Sequence, residues 1–159
     1  MTTKNTDLVA NFEATPQVAN SAAELAGVLR TAHGSVELAA GDSTDNDIVM
    51  LSPIPSNAAL PTLFVGSDTF GGSCTFNVGV YKTDGTVKDE DVFASAVADA
   101  GAMADVRYEA ADLNTGSKKL WELAGDSEDP GGYYYVAITF SATGGTAGTL
   151  NWNISYVVD

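Results

Sequence analysis

His33 and Cys74 are the only histidine and the only cysteine in the 159 residues. Any Ser-His-Asp or Cys-His arrangement must therefore use that one imidazole. His33 stands in "AHGSVEL" at the edge of a strand pattern, and no nucleophile elbow marks a serine to go with it. A zinc site wants several His or Cys ligands, and one of each does not supply them. A lone cysteine also forms no intramolecular disulfide. Cys74 lies in "GGSCTFNVGVYKT", where Cys74, Phe76, Val78 and Val80 share one strand face, so it reads as a small buried hydrophobe rather than a nucleophile. No catalytic residue, cofactor-binding residue or metal ligand is expected.

Oxygen chemistry fares little better. "GDSTDND" offers Asp42, Asp45 and Asp47, and "TDGTVKDED" offers Asp84, Asp89, Glu90 and Asp91 as calcium ligands. Neither has the spacing of an EF-hand loop, so both read as solvated turns. A carboxylate pair for glycoside hydrolysis is cheap to find among 21 acids, and no aromatic cluster accompanies one. Tyr133, Tyr134 and Tyr135 in "PGGYYYV" are a candidate stacking platform for sugar, although strand tyrosines more often serve a core edge or a subunit contact. Gly144, Gly145 and Gly148 form no phosphate loop, since no lysine follows them and no helix opens there. Asn153-Ile154-Ser155 spells a glycosylation sequon, but in the middle of a strand pattern.

The charge balance narrows the partners. With 21 acidic against 7 basic residues the formal net charge is −14, and the basic stripe that phosphate neutralisation needs is missing. Nucleic acid and membrane are not expected partners. The acidity itself reads as solubility or as attraction to a basic partner. The first twenty residues contain no continuous apolar core and no cleavage pattern, and no segment reaches the length of a membrane span. A product that is cytosolic at synthesis is the expectation.

The elements that must position these residues are short strands. Candidates are 35–40, 47–52, 60–66, 74–82, 105–110, 133–141 and 149–158, separated by Gly, Asp, Asn and Pro clusters. Alternation is clear in two of them. Tyr134, Val136, Ile138 and Phe140 fall on one face and Tyr133, Tyr135, Ala137 and Thr139 on the other, while Leu150, Trp152, Ile154, Tyr156 and Val158 share a face in the last segment. The fold class read from this is all-β: an antiparallel β-sandwich or jelly roll, with short helical turns and an N-terminal arm.

Three stretches break the strand pattern. "SAAELAGVLR" sets Ser21 and Glu24 at capping-box spacing and predicts a short helix over residues 21–30. "KDEDVFASAVADAG" has Asp89, Glu90 and Asp91 where a helix N-terminus favours them and predicts a second helix. "SKKLWELAG" predicts two helical turns that bury Leu120, Trp121 and Ala124 and stop at Gly125. The domain division is an arm over residues 1–30 and a sandwich over 31–159. Leu8, Val9 and Phe12 are the apolar residues of an otherwise polar arm, which makes them candidate contacts with another subunit.

One resemblance rests on three stretches: "NDIVMLSPIPSNAAL", "FNVGVYKTDGTVKDEDVFASAV" and "KKLWELAGDSEDPGGYYYVAITFSATGGTAGTLNWNISYVVD". Together they resemble small structural proteins encoded among the head genes of tailed bacteriophages. Their shared phrases are a strand into "PSNA", a "VGVY" strand with an acidic turn and "FASA", an "LWEL" turn with "DPG", and a final "TAGT" strand. The likeness covers roughly residues 34–159, leaves the arm outside, and carries no catalytic residues. It implies a virion protein on the outer capsid surface that decorates and cements the capsid. Its partners would be the major capsid protein and further copies of itself, with a trimer expected, and it would use no cofactor. Leu8, Val9, Phe12, Tyr133 and Tyr135 are the candidate capsid or subunit contacts. The alternative is a head-fibre or tail-associated module that binds a carbohydrate receptor through Tyr133 and Tyr135. An enzyme acting on polysaccharide ranks behind both, for want of a constellation.

Overall fold

The structure, a computed structural model, describes residues 5–21, 24–25, 27–99, 101–108 and 113–158. Its strands are β1 (Leu29–Leu38), β2 (Ile48–Pro55), β3 (Ala58–Ser67), β4 (Thr75–Lys82), β5 (Val87–Ala98), β6 (Gly101–Asp105), β7 (Tyr133–Ala142) and β8 (Gly148–Val158). Two short helices join them, α1 (Asp7–Glu13) and α2 (Leu120–Leu123). The strands form two four-stranded sheets, ordered β1-β8-β3-β6 and β2-β7-β4-β5, and every pairing is antiparallel. The protein is an all-β sandwich.

Alternating residues build the core between the sheets. Tyr134, Val136, Ile138 and Phe140 of β7 are all buried, as are Phe76, Val78 and Val80 of β4 and Leu150 and Ile154 of β8. Phe140 receives Phe70 and Phe76 edge-on, with ring centroids 5.6 and 6.3 Å away. Cys74 is buried in the same cluster, just before β4 begins. Prolines fall where a ladder tolerates them. Pro53 and Pro55 lie on β2, an edge strand, and Pro61 lies where the β3–β8 register shifts between Ala59 and Thr62.

β8 is an interior strand, paired with β1 on one side and β3 on the other. Trp152, Tyr156 and Val158 are only partly buried, whereas Val157, assigned by alternation to the solvent side, is buried beside Ala59. The bulge in β3 changes which face that end of the ladder presents.

Three expectations are corrected. Residues 88–101 form most of β5 and the start of β6 rather than a helix, with Ala100 outside the described residues. Val87 and Val97 pair with β4, and Val92 and Phe93 pack into or against the core, which outweighs the acidic N-terminal signal. The helix predicted over 21–30 is also overturned at its C-terminal half, because Leu29 and Arg30 open β1 opposite Val157 and Tyr156. Residues 24–25 form a turn, and 22, 23 and 26 lie outside the described residues. The strand expected over 105–110 begins earlier, as β6, and ends at Asp105, while 109 and 110 are outside the described residues. By contrast α2 forms as a single turn, with Leu120 buried, the Glu122 carboxylate accepting the Lys119 N–H at 2.7 Å, and Gly125 at φ +73° after its end.

β5 departs furthest from a regular strand. Its register against β4 slips at three places, and between the Val78–Ala94 and Val80–Asp89 pairs the four residues 90–93 of β5 lie opposite Gly79 alone. The excess chain passes over Gly79, where a Cβ would lie 2.1 Å from the Asp89 carbonyl oxygen. Only glycine fits beneath it. The detour also carries Phe93 into the core, where the Arg107 guanidinium stacks on its ring at 5.0 Å.

Candidate functional site

Strand direction sorts the loops to two ends. One end holds the β1–β2, β3–β4, β5–β6 and β7–β8 connections, and the other holds the β2–β3 and β4–β5 turns, the long β6–β7 connection with α2, and the entry of the arm into β1.

At the first end the acids close the fold. Asp42 accepts the Ala39 N–H at 2.9 Å, Asp68 that of Thr149 at 2.9 Å, and Asp99 that of Phe70 at 2.6 Å. Asp47 accepts both the N–H, at 2.8 Å, and the hydroxyl of Thr44, and these two bonds hold its carboxyl below the ordinary carboxylate range. The Gly145 and Thr146 N–H groups bond the Phe70 carbonyl at 2.7 and 2.8 Å, tying the β7–β8 loop to the β3–β4 loop. Within "GDSTDND" the Asp42 and Asp47 carboxylates thus accept from donors of their own turns. Among the described residues no group of three or more His, Cys, Asp or Glu is arranged to hold a metal.

The opposite end has different chemistry. Every Lys and Arg among the described residues belongs to it: Arg30 opens β1, Lys82 closes β4, Lys88 opens β5, and Arg107, Lys118 and Lys119 lie on the β6–β7 connection. Large apolar side chains are exposed there too, including Leu29, Val87, Leu113 (71%) and Tyr133 (57%), with Val28 (75%) at the arm junction. Ile48 and Met50 on β2 and Met103 on β6 are exposed elsewhere.

Two polar clusters hold this end together, and neither is legible as a motif. Lys88 bonds Asp126 at 2.6 Å, and the Tyr134 hydroxyl donates to the other carboxylate oxygen of Asp126. The Lys88 and Tyr134 donors keep the Asp126 carboxyl below its usual range, while burial, reinforced by Asp126, pushes the Tyr134 phenol up. Arg107 is completely buried and donates to the Leu60 carbonyl at 2.8 Å, to the Thr115 hydroxyl at 3.1 Å and to the Thr115 carbonyl at 2.9 Å. Its guanidinium also lies 4.7 Å from the Tyr108 ring centroid. Arg107 therefore fixes the irregular chain after β6 to β3, and it is structural.

The expected contact residues separate into two groups. Leu8, Val9 and Phe12 lie on α1, none of whose residues is buried, and Phe12 is 67% exposed. The arm bonds to itself: Asn11 donates to Asn20 at 2.8 Å, Asn20 to the Leu8 carbonyl at 3.3 Å, and the Val18 N–H to the Asn11 carbonyl at 3.1 Å. Tyr133 lines a cleft of about 240 Å³ with Lys82, Thr83, Asp84, Asp126, Pro130, Gly131 and Tyr134, and Tyr135 is half-buried two residues along β7. Among the described residues no hydrogen bond joins α1 to β7. His33 is exposed on β1 beside Ser35, Asn151 and Asn153, on the other sheet from the chain that follows Cys74.

No protein-family model and no curated protein matches the sequence. Among solved structures, a chain of the cyanophage Pam1 capsid asymmetric unit has the same fold, with a TM-score of 0.54 and 20% identity over 84% of this chain and 86% of that one. A chain of the acidic stable capsid of Helicobacter pylori bacteriophage KHP30 aligns over 82% of this chain and 94% of its own, with 14% identity and a TM-score of 0.37, too loose a likeness to build on.

Proposed function

We propose that this protein is a structural component of a bacteriophage virion, without catalytic activity, that decorates the outer capsid surface and cements it. The observation that carries the reading is the fold shared with a chain of a phage capsid asymmetric unit across most of both chains. The strand succession supports a jelly-roll reading of the sandwich, since every connection except β4–β5 crosses from one sheet to the other. The end bearing the arm, the basic residues and the exposed apolar side chains docks on the major capsid protein. The acid-closed end faces outward. The arm, expected over residues 1–30 but giving up Leu29 and Arg30 to β1, is the attachment element of the sandwich, and Leu8, Val9, Phe12, Tyr133 and Tyr135 supply contacts. Each added patch is small, so symmetry multiplies it through a homo-oligomer, with a trimer at a three-fold position.

The test mixes purified protein with undecorated capsids and sediments them. Saturable binding at hundreds of copies per particle, with particles that survive more heat, is expected. No binding, or binding without any gain in stability, overturns cementing. A second reading, a glycan-binding module, draws on the cleft beside Tyr133. It predicts a few copies per virion and glycan binding that Tyr133→Ala abolishes.

A further inference from the structure

A β-sandwich has four edge strands, and an unprotected edge is a template for another strand. Three of the four here carry devices that prevent pairing. β2 contains Pro53 and Pro55 and a register shift between Met50 and Ser52. β5 is broken by register shifts and carries Lys88, Asp89, Glu90 and Asp91. β6 has only five residues. β1 has none of these features. It runs ten residues without a break in register from Leu29 opposite Val157 to Leu38 opposite Gly148, and among the described residues no strand pairs with its other side. It contains no proline and no lysine, and its charged residues Arg30 and Glu37 stand near its two ends.

The residues of β1 are also complementary to themselves. An antiparallel two-fold pairing sets residues i and j opposite each other on the same face only when their numbers sum to an even value, because side chains alternate. Centred on Gly34, that pairing sets Ala32 against Val36, His33 against Ser35 and Thr31 against Glu37, each of them twice. Ala32 and Val36 pair within the chain with Ile154 and Leu150 of the core, and His33 and Ser35 with Asn153 and Asn151. The central apolar residues Ala32 and Val36 therefore meet on the inner face and polar residues meet polar ones on the outer face, while at the strand ends the exposed Arg30 stands against Leu38. Centring on His33 instead would oppose two imidazoles and set Leu29 against Glu37.

We propose that β1 pairs antiparallel with β1 of a second copy across a two-fold axis at Gly34, joining the two β1-β8-β3-β6 sheets into one continuous sheet. The contact stands whether or not the protein binds capsids. If a three-fold assembly forms through another surface, the β1 contact links one trimer to the next.

The test is analytical ultracentrifugation of the full chain alone across a range of concentrations. Wild type is expected to populate an even-numbered species, a dimer, or a hexamer if trimers also form. The double variant His33→Glu with Ser35→Glu opposes carboxylates across the axis twice and is expected to weaken the even-numbered species by about tenfold or more. The pair His33→Lys with Ser35→Glu opposes unlike charges in the Gly34 register and is expected to restore it, but in the His33 register it would oppose two lysines and fail. Circular dichroism checks each fold. Should the double-acid variant lose its β spectrum, Thr31→Glu, which faces Glu37 of the second copy from an exposed position, takes its place. A wild type that is monomeric or trimeric at every concentration, an even-numbered species indifferent to the acids, or a Lys/Glu pair that does not restore it overturns the proposal.

Discussion

The two ends of the sandwich use their acids differently. At the loop end Asp42, Asp47, Asp68 and Asp99 each accept backbone N–H groups, and the connections bond one another. At the arm end Asp126 is matched to Lys88 and Tyr134, and apolar side chains remain in water. The first end satisfies its own donors and leaves little for a partner. The second exposes apolar area beside charge, a combination that marks contact surfaces when it is contiguous. A large net charge thus says little about where a protein binds, because much of it here is spent on turns.

The largest break of this comparison removes β8. Ending the chain at Ala147 strips β1 of its partner, leaves β3 paired with β6 alone and removes Leu150 and Ile154 from the core. Each large apolar side chain contributes roughly 1.5–3 kcal/mol by burial, and a domain has only about 5–15 kcal/mol in total. No cooperative thermal transition should remain by circular dichroism. A folded truncation would show that the second sheet and the β3 pairings suffice.

Next is Phe70→Ala at the loop end, where the ring is fully buried against Phe140. A loss of about 3–5 kcal/mol in urea unfolding is expected. Its counterpart, Phe12→Ala on the arm, should stay within about 0.5 kcal/mol of wild type and act on capsid co-sedimentation instead. Equal losses from the two would erase the distinction between a closed end and a contact end.

Asp126→Asn comes third. Hydrogen bonds to charged groups contribute roughly 1.5–3 kcal/mol, and partial exposure of the Lys88–Asp126 pair places the loss toward the lower figure. Because the folded carboxyl titrates below its unfolded value of about 3.9, its contribution is present above that pH and is lost as pH falls below it. The wild-type and Asp126→Asn stabilities should therefore converge in acid. The raised Tyr134 phenol gives the opposite sign, stability present below about pH 10 and lost at higher pH. Urea midpoints measured across pH test both, and a gap that persists in acid would remove the carboxylate from the account.

The smallest effect on stability is expected from deleting residues 5–20. They bury no α1 side chain and bond mainly among themselves, so the melting temperature should hardly move while co-sedimentation with capsids weakens. A truncated protein that binds normally would shift the contact to Tyr133 and the exposed residues around it.

Alternation along residues 133–141 and 149–158 was enough to assign strands, the inward face of β7 and much of the core, because a period of two leaves few other choices. Composition limits any site to one histidine and one cysteine ligand from this chain. The path of β5 was not legible. Its register slips scramble the period, and the space above Gly79 exists only once β4 and β5 are packed. Arg107 stood unremarked inside the strand expected over 105–110, and its burial depends on Leu60, Thr115 and Phe93, which are far apart in the chain and converge only in three dimensions. The same holds for the free edge of β1. Sequence determined the strands whose alternation is unbroken, β7 and most of β8, and the face that β7 buries, because those are local properties of a repeating backbone. Which strand lies at an edge, which end gathers the basic residues and which acids close turns were decided by the order of strands in the sheets, a property of pairings between distant residues.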